Sequence, residues 1–154
     1  MRVDVWSDVV CPWCFIGLAN LDAAVEGFEH GADVQVVLHS YQLDPGAPPI
    51  DDQPLSERLA TKYRTTVDQV REQQSRIVAL GAERGIDFRF DEAIGGNTFD
   101  AHRLLHLARA QGDPADQLSL KQRLGRAYFT EGQPIGDVDT VSYTHLTLPT
   151  ICSV

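Results

Sequence analysis

The chain has 154 residues, a length that suits one domain or one domain carrying an insertion. With 43% hydrophobic and 23% charged residues it has the composition of a soluble globular protein, and no stretch is long and apolar enough to predict a transmembrane helix. A net charge of −9 argues against nucleic-acid and anionic-membrane partners, which select clustered Lys and Arg.

Residues 2 to 8 read as a buried strand. No apolar signal region precedes Val3, so a cytoplasmic setting is expected. Cys11-Pro12-Trp13-Cys14 follows, and then a helical pattern from Phe15 to Phe28. Leu21, Ala24, Val25 and Phe28 keep the helical period past Gly17, and His30-Gly31 is the predicted stop. Asp33 to Gln42 alternates, with Val34, Val36 and Leu38 on one face of a second strand. Strand, helix and strand make a βαβ unit with parallel strands and a right-handed crossover.

Leu43 to Pro49 holds three prolines and a glycine and reads as a linker. Helices follow. One runs from Pro54 to Tyr63, and a longer one begins at Thr66, where Gln69 completes a capping-box pattern. Val70, Ile77 and Leu80 form its apolar stripe, and Gly85 marks its end. Ile86 to Phe90 alternates as a short extended piece. Thr98 is the predicted cap of a helix from Phe99 to Ala110, buried through Leu104, Leu105, Leu107 and Ala108. The next helix, Ala115 to Phe129, turns Leu118, Leu124 and Tyr128 inward.

The chemistry concentrates at Cys11 and Cys14. A helix N-terminus offers unpaired N–H groups and a positive dipole end, which favour a thiolate. Such sites bring a thiol from about 8.5 down to roughly 3.5–7.5. Cys11 is then expected to be an anion near neutral pH, with Cys14 placed to attack a mixed disulfide on it. Three cysteines in a reducing compartment fit reactive thiols better than a disulfide framework.

Ser7-Asp8-Val9-Val10-Cys11-Pro12-Trp13-Cys14 resembles the active-site stretch of DsbA-type thioredoxin-fold proteins, in particular the cytosolic FrnE-like branch. Three further blocks agree in order: Tyr41-Gln42-Leu43-Asp44-Pro45, Asn97-Thr98 with Ala101-His102-Arg103-Leu104, and Ala127 to Gly132 running into Ile135-Gly136-Asp137. The resemblance covers residues 2 to 140 and implies an α/β, thioredoxin-like fold. Residues 1–44 would be its N-terminal βαβ unit and 45–140 an incomplete, mainly helical insertion domain. It implies a thiol–disulfide oxidoreductase or isomerase acting on protein thiols and disulfides, with Cys11 the nucleophile and Cys14 the resolving cysteine. No cofactor is implied beyond the redox-active disulfide, with an external thiol such as glutathione as donor or acceptor.

The family pattern continues into a cis-proline loop facing the cysteines, a strand hairpin and a last helix, so the C-terminal part of the fold is expected to be missing here. Residues 141–154 resemble a translated sequencing-adapter read-through and are expected to be a non-native tail without a helical stripe. Leu148-Pro149-Thr150 has only a superficial likeness to the cis-proline loop, because it follows Ile135-Gly136-Asp137 too soon, and Cys152 is expected to be irrelevant. A chain so shortened, with an open sheet edge, is expected to be marginally stable, aggregation-prone or inactive.

Four further residues are candidates for supporting roles. Pro12 and Trp13 lie between the cysteines and tune the reduction potential. Trp13 is expected to be exposed and available to an unfolded substrate, and Trp6 and Phe15 to be part core, part rim. Asp8 reads first as a capping or solvated carboxylate and second as an anion that raises the Cys14 pKa or relays its proton. His102 reads first as a surface or interface histidine and second as a group near the substrate groove, with Arg103 beside it. A zinc site from Cys11, Cys14, His102 and His106 has the right donors, but its two halves lie far apart in sequence. Two other functions stay open: a glutathione-dependent small-molecule isomerase or transferase, which generally keeps one Ser or Cys in place of the pair, and a chaperone-like binding module without redox turnover.

Overall fold

A computed structural model describes residues 1–112 and 114–146. The first strand is β1, Arg2–Ser7, and it hands over to helix α1, Pro12–Glu26. Pro12 sits in the first turn, where its fixed φ suits the helix and its missing N–H would have no partner. The helix stops at Gly27, whose N–H reaches the Ala23 carbonyl while the Phe28 N–H takes that of Val25, and not at His30-Gly31. A 3-10 turn over Gly31–Asp33 then leads into β2, Gln35–Ser40. The two strands pair in parallel from Arg2 opposite Gln35 to Ser7 opposite Ser40, as a helical crossover requires. The simple alternation expected of β2 is corrected: Val37 and Leu38 point to opposite faces and both are buried.

The remaining elements are helical: α2, Leu55–Tyr63; α3, Val67–Ala82; α4, Phe99–Gln111; α5, Pro114–Phe129; and α6, Val138–Leu146. The capping box forms as the sequence predicts. Thr66 Oγ1 accepts from the Gln69 N–H at 3.2 Å and Gln69 Oε1 from the Thr66 N–H at 3.3 Å. At α4 the expected cap is replaced. Asn97 Oδ1 takes the Phe99 N–H at 2.9 Å, while Thr98 Oγ1 accepts from Gln42. The backbone stays helical across position 141, and Val141 is buried in the core. Leu148-Pro149-Thr150 and Cys152 lie outside the described residues.

The core gathers around Phe129 at the end of α5. Phe15, Phe88 and Phe90 meet its ring edge-on, at centroid distances of 5.7, 4.9 and 5.8 Å. Ile86 to Phe90 is the predicted extended piece. It joins no sheet, and its Arg89 N–H instead bonds the Phe129 carbonyl at 2.8 Å. Two helix faces are rotated from expectation. In α4 the buried residues are Ala101, His102, Leu105 and Ala108, and Leu107 is exposed. In α5 the buried stripe includes Gln117, Leu120, Lys121 and Leu124 rather than Leu118.

Gly125 lets α5 lie close to α1, since a Cβ there would stand 2.2 Å from the Phe15 ring. Gly125→Ala overpacks this contact at about 1–3 kcal/mol, offset by roughly 1 kcal/mol of helix propensity. The expected net loss, up to about 2 kcal/mol, is read from the urea unfolding midpoint. An unchanged or higher midpoint would show that Phe15 yields freely.

Candidate active site

Cys11 caps α1 with an extended backbone (φ −102°, ψ 107°), and Cys14 lies one turn in, its N–H bonded to the Cys11 carbonyl at 3.1 Å. Both thiols are free, partly buried and hydrogen-bonded to each other. That bond sets their acidities apart. It pushes the Cys11 thiol up, as do burial and the charge of Cys14, against the nearby N–H groups of Cys14 and Trp13. The same bond brings Cys14 down to about 6, against burial and with help from the Asp8 backbone and the Lys121 charge. The acidity expected of Cys11 at the helix N-terminus thus belongs to the two cysteines together. The pair loses its first proton below the ordinary thiol range, and the two sulfurs share the resulting charge through their hydrogen bond.

Asp8 is neither solvated nor a helix cap. Only 1% exposed, it accepts three hydrogen bonds: Oδ1 from the Val9 N–H at 2.7 Å and from His102 Nε2 at 3.0 Å, and Oδ2 from the Leu43 N–H at 2.7 Å. Burial pushes its carboxyl up, but the bonds from His102, Leu43 and Val9 outweigh burial and hold it below the ordinary range. An ionised carboxylate only accepts, so His102 Nε2 carries the hydrogen. The surface position expected for His102 is likewise corrected: the ring is 4% exposed and bonded under the cysteine turn. Beside Arg103 the histidine looks solvent-facing until the buried face of α4, Ala101, His102, Leu105 and Ala108, is known.

Lys121 escaped the sequence reading altogether. It is 1% exposed, with Nζ donating to the Asp8 carbonyl at 3.1 Å and lying 5.7 Å from the centroid of the Phe15 ring. A signal was present. Gln117, Lys121, Leu124 and Tyr128 recur at helical spacing, so a stripe anchored on Leu124 carries Lys121 into the core.

The four blocks of the family resemblance meet here. Gln42 Nε2 donates to Asn97 Oδ1 at 3.1 Å, and Asn97 Nδ2 donates to the Pro45 and Ala47 carbonyls at 3.1 Å each. Gly136 packs against the Pro49 carbonyl, and its neighbour Ile135 is fully buried. The linker after β2 is thereby tied to α4 and held over Asp8 through Leu43. Trp13 stands exposed between the cysteines, Pro12 is half-buried, Trp6 is exposed and stacked on His39, and Phe15 is buried in the core. Arg103 pairs with Asp100 on the exposed face of α4.

Among the described residues, no group of three or more His, Cys, Asp or Glu is placed to hold a metal ion, so Cys11, Cys14, His102 and His106 are not brought together as one set. His106 instead bonds Ser40 Oγ at 2.9 Å. Among those residues, too, no helix is long and apolar enough to cross a membrane.

The family model described as the DSBA-like thioredoxin domain matches residues 2–145. The chain is 27% identical over 143 residues to the uncharacterized protein YwbO of Bacillus subtilis (strain 168), a match covering 92% of this chain and 63% of that protein. It is also similar to the crystal structure of a probable DsbA oxidoreductase from Streptomyces coelicolor. There the identity is 34% and the TM-score 0.85, over 94% of this chain and 61% of the other. The chain thus spans less than two thirds of the length of these relatives.

Proposed function

Because the chain belongs to the DSBA-like thioredoxin-domain family, we propose that it exchanges thiols and disulfides with protein substrates through Cys11 and Cys14. The observation that supports this reading is the cysteine pair at the N-terminus of α1, whose first proton is held below the ordinary thiol range.

In the reducing direction, the shared proton settles on Cys14 as Cys11 attacks a substrate disulfide. A bond forms between Cys11 and one substrate sulfur, and the other leaves as a thiolate that takes a proton from water. Cys14 then gives its proton to water and attacks Cys11. The Cys11–Cys14 disulfide forms and the second substrate thiolate departs. An external dithiol, or two molecules of glutathione, returns the two electrons. The oxidising and isomerising directions use the same bonds in other orders. Cys11 is assigned as nucleophile because it caps α1 and stands at the first cysteine position of the family motif that the chain resembles.

Protein substrates suit the surroundings. A groove of about 440 Å³ beside Val10 is lined in part by Leu43, Leu55, Tyr63 and Tyr128, and Trp13 adds an exposed aromatic face. We place the activity in the cytoplasm, with no cofactor beyond the cysteine pair. Retention of both cysteines favours this reading over a glutathione-dependent small-molecule enzyme.

The test is equilibration in glutathione buffers of graded ratio, followed by acid quench, alkylation and mass mapping. The expected result is one Cys11–Cys14 disulfide that appears and disappears as a two-electron couple. A pair that stays reduced throughout, or that carries only glutathione adducts, would overturn the reading in favour of a binding module.

A further inference from the structure

Lys121 occupies a place where a lysine needs a reason. Its contacts are a backbone carbonyl and the face of a phenyl ring, neither of which carries a full negative charge. Removing an ammonium from water costs several kcal/mol unless an anion compensates. The groups that face it are Cys14 and Cys11 of α1 and Asp8 of the turn before α1, with His102 of α4 bonded to Asp8. The Asp8 carboxylate is already engaged by Val9, Leu43 and His102. Burial pushes Lys121 down, and Cys14 leads the charges that push back.

We propose that Lys121 is the positioning residue that holds the single thiolate of the reduced pair, so that closing the Cys11–Cys14 disulfide removes a negative charge that faces a buried lysine. The proposal rests on the exchange reading above and adds a residue from the helical part of the chain to its machinery. The balance is simple. When the disulfide oxidises a substrate dithiol, two electrons and two protons leave the substrate. One proton stays on the cysteine pair, the other goes to water, and the pair keeps one negative charge facing Lys121. The reduced state is favoured by that pairing, which makes the disulfide a stronger oxidant than the same pair without the lysine.

Three versions of the full chain decide this: the parent, Lys121→Met, which keeps the length and the apolar stem, and Lys121→Arg, which keeps the charge. The first readout is the ultraviolet absorbance of the thiolate against pH. Its midpoint is expected to rise by about one unit or more in Lys121→Met, with Lys121→Arg between it and the parent. The second readout is the glutathione equilibrium, expected to shift about tenfold or more toward the disulfide in Lys121→Met. Parent-like values for both in a folded Lys121→Met chain would overturn the proposal. If Lys121→Met does not fold, carbon NMR of the Lys121 Cε in the parent decides instead. Its titration midpoint is expected to be higher in the reduced than in the oxidised chain, and equal midpoints would overturn the proposal. If the parent pair forms no disulfide in any glutathione buffer, the exchange reading fails. The thiolate titration then still decides whether Lys121 holds the anion.

Discussion

Cys11→Ser is expected to bring insulin reduction in the presence of a dithiol donor down to the uncatalysed background, while Cys14→Ser leaves a chain that starts the reaction and stalls. The two cysteines share one proton and one charge, so their single variants separate attack from resolution. Without Cys11 no sulfur stands at the helix cap to form the mixed disulfide. Without Cys14 the mixed disulfide forms, and release falls to external thiol. A neighbouring sulfur acts at an effective concentration far above the millimolar range of a free thiol, so resolution is expected to slow by about a thousandfold or more. Mass spectrometry of Cys14→Ser after exposure to oxidised glutathione and removal of free thiol should show one glutathione on Cys11. Insulin reduction by Cys11→Ser at the parent rate would remove Cys11 from the mechanism.

The second large effect is on stability. Asp8→Ala is expected to cost about 3–5 kcal/mol, the range for breaking a buried charged contact from one side. The change leaves three buried donors without their acceptor: the Val9 and Leu43 N–H groups and His102 Nε2. Total stabilities are about 5–15 kcal/mol, so the loss is a large share and should appear as a sharply lower urea midpoint. The pH dependence has a definite sign. The folded carboxyl lies below its ordinary value, so its contribution is fully present above the unfolded value of about 3.9. It is lost as pH falls through the folded value. The parent should therefore lose its advantage over Asp8→Asn only in acid, below about pH 4. An advantage that stays constant into strong acid would show that shape, not charge, carries the effect.

The sequence made some of this legible for clear physical reasons. The βαβ unit followed from period and punctuation, and the α3 capping box followed from two residues three apart. The cysteine pair followed from a motif whose setting, strand then helix, is itself local. What escaped depended on helix rotation and on contacts between distant segments. His102 lies 94 residues from its partner Asp8, and Lys121 lies 113 from the carbonyl it bonds. Nothing local distinguishes a lysine on a buried stripe from one on a solvated face. The acidity of the cysteine turn depends likewise on more than its helix. The helix N-terminus favours the Cys11 anion, and a second thiol within hydrogen-bond reach shares its charge. Thr98 lost its expected capping role in the same way, to a tertiary bond from Gln42.

The most direct measurement is a single turnover without external thiol. The reduced chain is mixed with an equimolar unfolded protein bearing one disulfide, quenched in acid and mapped by mass. The expected result is one substrate disulfide opened for each Cys11–Cys14 disulfide formed, and a Cys11–substrate adduct with Cys14→Ser. A substrate disulfide that stays closed while both cysteines remain reduced, or one opened equally well by Cys11→Ser, would contradict it.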